Sequence, residues 1–440
     1  MTVPTSAPPT PYRFYVLALL VAVALFSYID RTIILVLQVP IKQELGLSDS
    51  EMGLLTGAAF GLFYTGFALP IGYWADRTRR TRLISLALGV WSMMTALSGF
   101  AGSLVTILLL RMGVAVGEAG TSPTTHSLLA DYFPRHERGR AQAVWGISLP
   151  LGTMFGLMLG GWLSEHFGWR TTFLIVGLAG LLFVPVFLLT LREPPRGNFD
   201  AVQAEGVRPL SLGDTIAALW KIRSFRFLLA GIAFHVVAYY AFMSWSTPFY
   251  VRLHGRDLSE IAGRLGLYTG IGGLIGTFFG GILSDVLGRR DGRWALWVPM
   301  LASLLTVPFA VAQFCVDSYE LSWMLAIIPS VLLNAYIAPC NATTQSLVPA
   351  STRAFANALM IMAASAFGMG IGPLLVGAIS DYLMPTLGEE ALRYGLIVGM
   401  LVDLIAAAAF WMGARHVGRD LNAAAEVGKE PSDDAQELPA

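Results

Sequence analysis

The sequence predicts an all-α membrane protein with twelve transmembrane helices, six in each of two pseudo-symmetric halves. Three observations predict it. The 440-residue chain is 55% hydrophobic and only 13% charged, where a soluble domain carries roughly 25% charged residues. Apolar windows of about 20 residues, long enough to cross the hydrocarbon core, fall six and six around one polar stretch. Patterns of the first half also return in the second in the same order, the signature of an internally repeated membrane protein.

The first span, near 14–38, follows no lysine cluster and contains Asp30 and Arg31, so it reads as a retained helix and not a cleaved signal. Spans two to six lie near 50–74, 82–101, 104–130, 139–163 and 169–191. The segment 192–223 holds Pro194, Pro195, Gly197, Asp200, Glu205 and Pro209, and reads as a linker ending in a short surface helix. Spans seven to twelve lie near 224–252, 258–285, 294–313, 320–347, 352–378 and 392–415. The remaining 416–440 is rich in Ala, Pro and acids and reads as a disordered tail. The expected units are therefore 1–191, 192–223, 224–415 and 416–440.

The formal net charge is zero, from 29 Lys+Arg and 29 Asp+Glu. There is no basic excess to neutralise phosphates, which argues against a nucleic-acid partner. Two cysteines exclude a disulfide scaffold and a cysteine-rich metal centre; Cys315 and Cys340 read as small hydrophobic packers. No Walker loop, zinc helix or nucleophile elbow occurs, so neither an ATP-driven pump nor an enzyme is expected. The bilayer itself is the one partner that composition requires.

Orientation follows from the basic residues. Loops on the side of the termini carry Arg77, Arg79, Arg80, Arg82, Arg135, Arg138, Arg140, Arg192, Arg196, Arg289, Arg290 and Arg293, among others. The opposite side carries only Lys42, Arg170, Arg252, Arg256, Arg264 and Arg393. Basic residues concentrate in cytoplasmic loops, which predicts cytoplasmic termini and a plasma (inner) membrane location.

The repeat is readable directly. Gly72-Tyr-Trp-Ala-Asp76-Arg77-Thr-Arg-Arg80 closes the second span, and Gly281-Ile-Leu-Ser-Asp285-Val-Leu-Gly-Arg289-Arg290 closes the eighth. Gly152, Gly156, Gly161 and Ser164 of the fifth span return as Gly368, Gly372, Gly377 and Ser380 of the eleventh. The small residues predict tight helix packing. The Asp and Arg groups predict a gate of ion pairs across the seam between halves, formed from Gly72, Asp76, Arg77, Arg80, Gly281, Asp285 and Arg289.

With these motifs the chain resembles the major facilitator superfamily over nearly its whole length. The loop signature is matched at Gly72, Asp76, Arg77 and Arg80, and the fourth-helix signature at Arg111, Gly113, Gly117, Glu118 and Ala119. Tyr28-Ile-Asp30-Arg31, Gly117-Glu118-Ala119 and Arg192-Glu193-Pro194-Pro195-Arg196-Gly197 look like the spinster branch. The resemblance implies two six-helix bundles around a central cavity, an alternating-access cycle and a mostly monomeric state.

An ionisable side chain inside a span is costly unless paired or wet, and so marks function. Asp30, Arg31, Arg111 and Glu118 are four such groups. At 1.5 Å per residue, Asp30 lies roughly 12 Å and Arg111 roughly 10 Å from the same end of their spans, with Glu118 two turns deeper on the Arg111 face. The resemblance implies that the first and fourth helices both line the cavity, so the four are expected to cluster as a proton switch, the carboxylates exchanging a proton as helices move and the arginines biasing them or binding an anionic head group. The energy source would be the proton gradient, with no bound cofactor or metal. In the second half Arg111 and Glu118 correspond to Ala326 and Leu333, and Asp30 and Arg31 to Tyr239 and Tyr240, so coupling is expected in the first half and an apolar wall in the second.

That wall draws on His235, Tyr239, Tyr240 and Phe242 of the seventh span and Asn334, Tyr336, Pro339 and Asn341 of the tenth. With Arg31 and Arg111, the residues Tyr239, Tyr240, Phe242, Asn334, Tyr336 and Asn341 are the expected substrate contacts. Prolines there would loosen the helices. Trp245, Phe249 and Tyr250 read as an interfacial aromatic belt. His126 reads as a hydrogen-bonded helix histidine, and Asp403 as buried against a neighbouring helix or a hydroxyl. The expected function is proton-coupled transport of an amphiphile such as a lysolipid, sphingoid lipid or drug-like molecule. The alternatives are a proton symporter of small organic anions such as sugar acids, or a non-transporting sensor or scaffold.

Overall fold

The computed structural model describes residues 10–75, 77–196, 198–199, 212–349 and 352–427. Among them the chain is helical throughout, and ten continuous helical stretches are long and apolar enough to span a membrane: Pro11–Leu45, Asp49–Ala75, Arg80–Ser98, Leu104–Tyr132, His136–Thr190, Arg223–His254, Leu258–Gly288, Trp294–Cys315, Tyr319–Leu347 and Phe355–Ala424.

Two of these stretches each make two crossings. Gly168 inside Ser148–Thr190 has φ 78°, ψ 159°, a conformation open to glycine and strained for other residues. The chain reverses there. Gly152 and Gly156 climb beside Tyr28 and Ile29 of the first span, whereas Gly177 and Gly180 descend beside Ala96 and Ser92 of the third. Gly388 (φ 58°) makes the corresponding turn after Gly370–Leu387. The twelve expected spans are thus present as ten stretches, because two glycines fold two long helices into hairpins.

Starts and stops follow local chemistry. Ser48 caps the second span by accepting from the Glu51 N–H at 3.1 Å, while the Glu51 carboxylate accepts from the Ser48 N–H at 2.8 Å. Ser103 and Ser318 cap the fourth and tenth spans through their hydroxyls alone, accepting from the Thr106 and Leu321 N–H groups, and Gly255 in the left-handed region ends the seventh. The expected surface helix of the linker is Leu212–Lys221; Gly197, Asp200, Glu205 and Pro209 lie outside the described residues. The last helix runs on to Val427, past the expected boundary at 415, so only 428–440 of the expected tail lies outside the described residues.

Lipid tails are as apolar as leucine, so helices associate in membranes through close packing of small residues. The repeated glycines do this symmetrically. Gly152 and Gly156 seat the fifth span on the first, and Gly161 meets Ala262 of the eighth. Gly368 and Gly372 seat the eleventh span on the seventh at Val236 and Val237, and Gly377 meets Asp49 of the second. Each of these helices therefore packs on its own half and on the other.

A row the sequence reading passed over, Gly53, Gly57 and Gly61 of the second span, faces Pro373, Met369 and Ser365 of the eleventh. Both helices widen into a π turn at this contact, at Leu54–Ala58 and Ala364–Met369, a distortion that recurs at functional sites.

The aromatic belt expected at Trp245, Phe249 and Tyr250 is not there. All three are fully buried in the core at the end remote from the termini. Trp245 donates to the Pro373 carbonyl at 2.9 Å, and Tyr250 stacks on Trp323 with centroids 4.2 Å apart. Their position near a membrane face was legible, but neighbouring helices of their own half cover them. Cys315 is exposed and Cys340 buried.

Candidate functional site

The four intramembrane charges of the first half come together. Arg31 and Glu118 form an ion pair through Arg31 Nε and Glu118 Oε2, and Ser27 donates to the same oxygen at 2.8 Å. Arg111 lies 3.7 Å from Asp30 Oδ1 and reaches the Asp30 carbonyl at 3.5 Å. Thr95 of the third span donates to Asp30 Oδ1 at 2.8 Å. Asp30, Arg111 and Glu118 are each at most 2% exposed. The helix geometry explains the pairing: Arg111 is level with Asp30, and Glu118 lies two turns along toward Ser27.

The cluster is incompletely satisfied. Asp30 Oδ2, Glu118 Oε1 and Arg111 Nε are buried with no hydrogen-bond partner. An unmatched carboxylate oxygen in a dry interior is costly, and a proton is the smallest group that removes the cost. Arg31 is further held by ring faces, with Tyr64 at 4.5 Å and Phe60 at 5.2 Å; Phe60 also faces Arg111 at 5.4 Å.

Arg31 and Arg111 border a cavity between the halves. Its first-half wall carries both arginines with Thr32, Thr56 and Thr153; its second-half wall is Tyr239, Tyr240, Met243 and Met369. The first half also contributes Tyr28, Leu35, Phe60 and Leu149, so apolar and aromatic side chains line both faces while both arginines lie on the first-half face. Behind it, Asp30 faces a narrow crevice beside Trp91, Ser92 and Thr95.

Of the other expected contacts, Phe242 is buried toward the far end against Phe314, with centroids 6.1 Å apart. Asn334 packs between spans eight and ten, its amide on the Ser330 carbonyl at 3.1 Å. Tyr336 lies on the His235 ring at 4.5 Å, and Asn341 is exposed. None of these four borders the cavity. His126 packs edge-on against Trp145 at 4.7 Å.

The gate residues divide. Arg80 is buried and pairs with Asp131 and, at 2.8 Å, with Glu193. Asp131 belongs to its own half and Glu193 to the start of the linker directly after the sixth span, so it does not bridge the seam as expected. Burial would raise the Glu193 carboxyl, but the Thr81 N–H at 2.9 Å and Arg80 hold it below the usual carboxylate range. Arg77 folds over the Tyr73 ring at 3.4 Å. Nothing lies where a Cβ on Gly72 would project, and Gly281 faces Ala338 of its own half. Asp285 and Arg289 are exposed. Asp76 lies outside the described residues.

The halves are bonded at the end remote from the termini, by groups the sequence reading missed. Asp49 is fully buried. It accepts from Arg252 at 2.7 and 2.9 Å, from Lys42 at 2.5 Å and from Ser380 at 2.7 Å. Asp381 caps the second span across the seam, accepting from the Asp49 and Ser50 N–H groups at 2.9 and 2.7 Å. Glu165 does the same for the eighth span at the Ser259 N–H, 3.1 Å. Glu165 and Asp381 each directly follow the serine that ends the repeated glycine row, a signal that could have found them.

The second half holds a buried acid of its own. Asp403 lies 2.8 Å from His235 Nδ1, with Ser303 2.9 Å from the same nitrogen.

Comparison with known proteins places this geometry in context. The family model of the Major Facilitator Superfamily matches residues 20–373. An "MFS-type efflux pump" of Mycolicibacterium smegmatis is 32% identical over 91% of this chain and 92% of its own. A "Probable galactarate/D-glucarate transporter" of Bacillus subtilis is 28% identical over 73% of this chain and 75% of its own. A solved bacterial homologue of the human lysosomal transporter spinster, in an inward-facing and unoccupied conformation, superposes with a TM-score of 0.86 at 30% identity, covering 94% and 99% of the two chains.

Proposed function

Because the chain belongs to the Major Facilitator Superfamily and is a spinster-like transporter, not an enzyme, we propose that its cavity carries an anionic amphiphile and that protons drive the cycle. The observation that carries this reading is a pair of arginines on one side of a cavity otherwise lined mainly by apolar and aromatic side chains. Arg31 and Arg111 offer two permanent cations to a head group, and Tyr239, Tyr240, Met243 and Met369 offer a polarisable apolar surface to a tail.

Proton coupling follows from the shared arginines. Arg31 serves Glu118 and the cavity, and Arg111 serves Asp30 and the cavity. An anion that engages an arginine from the cavity weakens its hold on the carboxylate. The carboxylate, buried and half-satisfied, then takes a proton. Removal of the anion reverses both changes. This competition links substrate and proton without any bound cofactor.

The seam is bonded at the end remote from the termini, as in a carrier that faces the side of its termini. The concentration of basic residues there supports cytoplasmic termini in a plasma membrane. A second reading, symport of small dicarboxylates, is favoured by the same arginine pair and by the name of the Bacillus subtilis relative.

The test uses purified protein in liposomes under an imposed pH gradient, with labelled lysolipid and labelled sugar acid in parallel. Uptake of the lysolipid alone supports the first reading and of the sugar acid alone the second. Asp30→Asn and Glu118→Gln are each expected to abolish the response to the gradient while leaving counterflow measurable; an unchanged pH dependence would reject proton coupling at these groups.

A further inference from the structure

We propose that His235 and Asp403 form a second proton-binding site, in the second half, whose proton holds the break in the tenth span. The proposal goes beyond the first-half cluster and rests on the transporter reading only for its role in the cycle.

The geometry counts the protons. His235 and Asp403 are fully buried, on the seventh and last spans. His235 Nε2 lies 3.0 Å from the Leu333 carbonyl, and a carbonyl only accepts, so Nε2 bears a hydrogen. His235 Nδ1 lies 2.8 Å from Asp403 Oδ1. A bare nitrogen lone pair and a carboxylate oxygen repel at that separation, so a second proton lies between them, on one partner or the other. With it, the pair is uncharged overall. Without it, a carboxylate whose Oδ2 already has no partner faces a lone pair in a dry interior, and the two separate.

Among the described residues the surroundings add one neutral donor and no further charge to the pair. The ninth span contributes the Ser303 hydroxyl, 2.9 Å from Nδ1. The tenth contributes the Tyr336 ring at 4.5 Å and, one turn on, the buried Cys340 thiol. The eleventh meets this stretch through Gly368 on Val236. On the seventh span itself the next titratable groups are Tyr239 and Tyr240, which face the cavity.

The proton matters because of what Nε2 grips. The tenth span is interrupted between Leu332 and Ile337. At the break the Ile337 N–H turns to the Asn334 carbonyl, leaving Leu333 without its helical donor, and His235 supplies the missing N–H. Loss of the shared proton displaces the ring, frees Leu333 and releases Tyr336 and Cys340 just beyond. The tenth span then has no fixed geometry at its break.

Cys340 is a native reporter. In the full-length protein with Cys315→Ser it is the only thiol, and Asp30→Asn with Glu118→Gln silences the first half. The rate of maleimide labelling of Cys340 is followed against pH, beside infrared difference spectra between acid and alkaline samples. The expected result is a step up in labelling at alkaline pH above the smooth rise of thiol ionisation, with a matching deprotonation change in the carboxyl or imidazole bands. Both should vanish in Asp403→Asn and in His235→Gln. A smooth labelling profile with neither a carboxyl nor an imidazole band change before those substitutions overturns the proposal, even if neither variant folds; so does a step that survives in both. Failure of the transport reading is separate: wild-type liposomes would show no proton-driven uptake while the step persisted.

Discussion

Replacing Asp49 with Asn keeps the shape of the side chain and removes the charge on which the far end of the molecule closes. Asp49 accepts four hydrogen bonds from three side chains, and two of those, Arg252 and Ser380, belong to the opposite half. Asn retains one acceptor oxygen, so at least one charge-assisted bond to Arg252 is lost, worth about 1.5–3 kcal/mol. Arg252 is 10% exposed and Lys42 21%, so water reaches both cations and the penalty of stranding a buried charge is only partly incurred. A net change of about 2 kcal/mol shifts the ratio of open to closed far ends by about thirty-fold. Spin labels at Gln43→Cys and Arg256→Cys, both exposed positions on opposite halves, with Cys315 and Cys340 changed to Ser, report that ratio as a distance distribution. Asp49→Asn should populate a longer distance that is minor in the parent. An unchanged distribution would refute the assignment of Asp49 as the lock.

Gly57→Leu should shift the same distribution in the same direction, since a side chain there meets the Met369 carbonyl and the Pro373 ring in the closed state; overpacking of this kind costs about 1–3 kcal/mol. Gly66→Leu, with nothing within 4 Å of its Cβ, is the control and should leave the distribution alone. Glu193→Gln should lower thermal stability at neutral pH by loosening Arg80 and the start of the third span. The folded Glu193 carboxyl is held below its usual range, so its contribution is present at neutral pH and lost as pH falls through that depressed value. The gap in melting temperature between wild type and variant should therefore close on acidification, and a gap that widens would contradict the sign.

The first-half cluster was legible because its members are conspicuous one at a time. A charge in an apolar run is costly wherever the run lies, and helix rise alone sets Asp30 level with Arg111. Thr95 and Ser27, which complete the cluster, carry no such signal; each is an ordinary hydroxyl until the helices are packed. His235 and Asp403 were each noted, but they stand 168 residues apart and nothing in either local pattern names the other. Asp49, Glu165 and Asp381 went unremarked, since hydropathy cannot tell a carboxylate facing water from one capping a helix of the opposite half. Trp245, Phe249 and Tyr250 failed for the converse reason: an aromatic near a membrane face looks interfacial whether lipid or another helix covers it.

What the sequence determined by itself was therefore everything that depends on one residue and its neighbours along the chain. The spans, their number, the repeat and the presence of charges inside the membrane follow from transfer free energy and helix rise, which are local quantities. The tertiary structure alone decided which charges are partners, that Arg80 does not bridge the seam, and that the seam is bonded at the far end. Those outcomes depend on distances of a few ångströms between helices far apart in the chain. A hydrogen bond or an ion pair in a low-dielectric interior gains or loses its whole effect within such a distance.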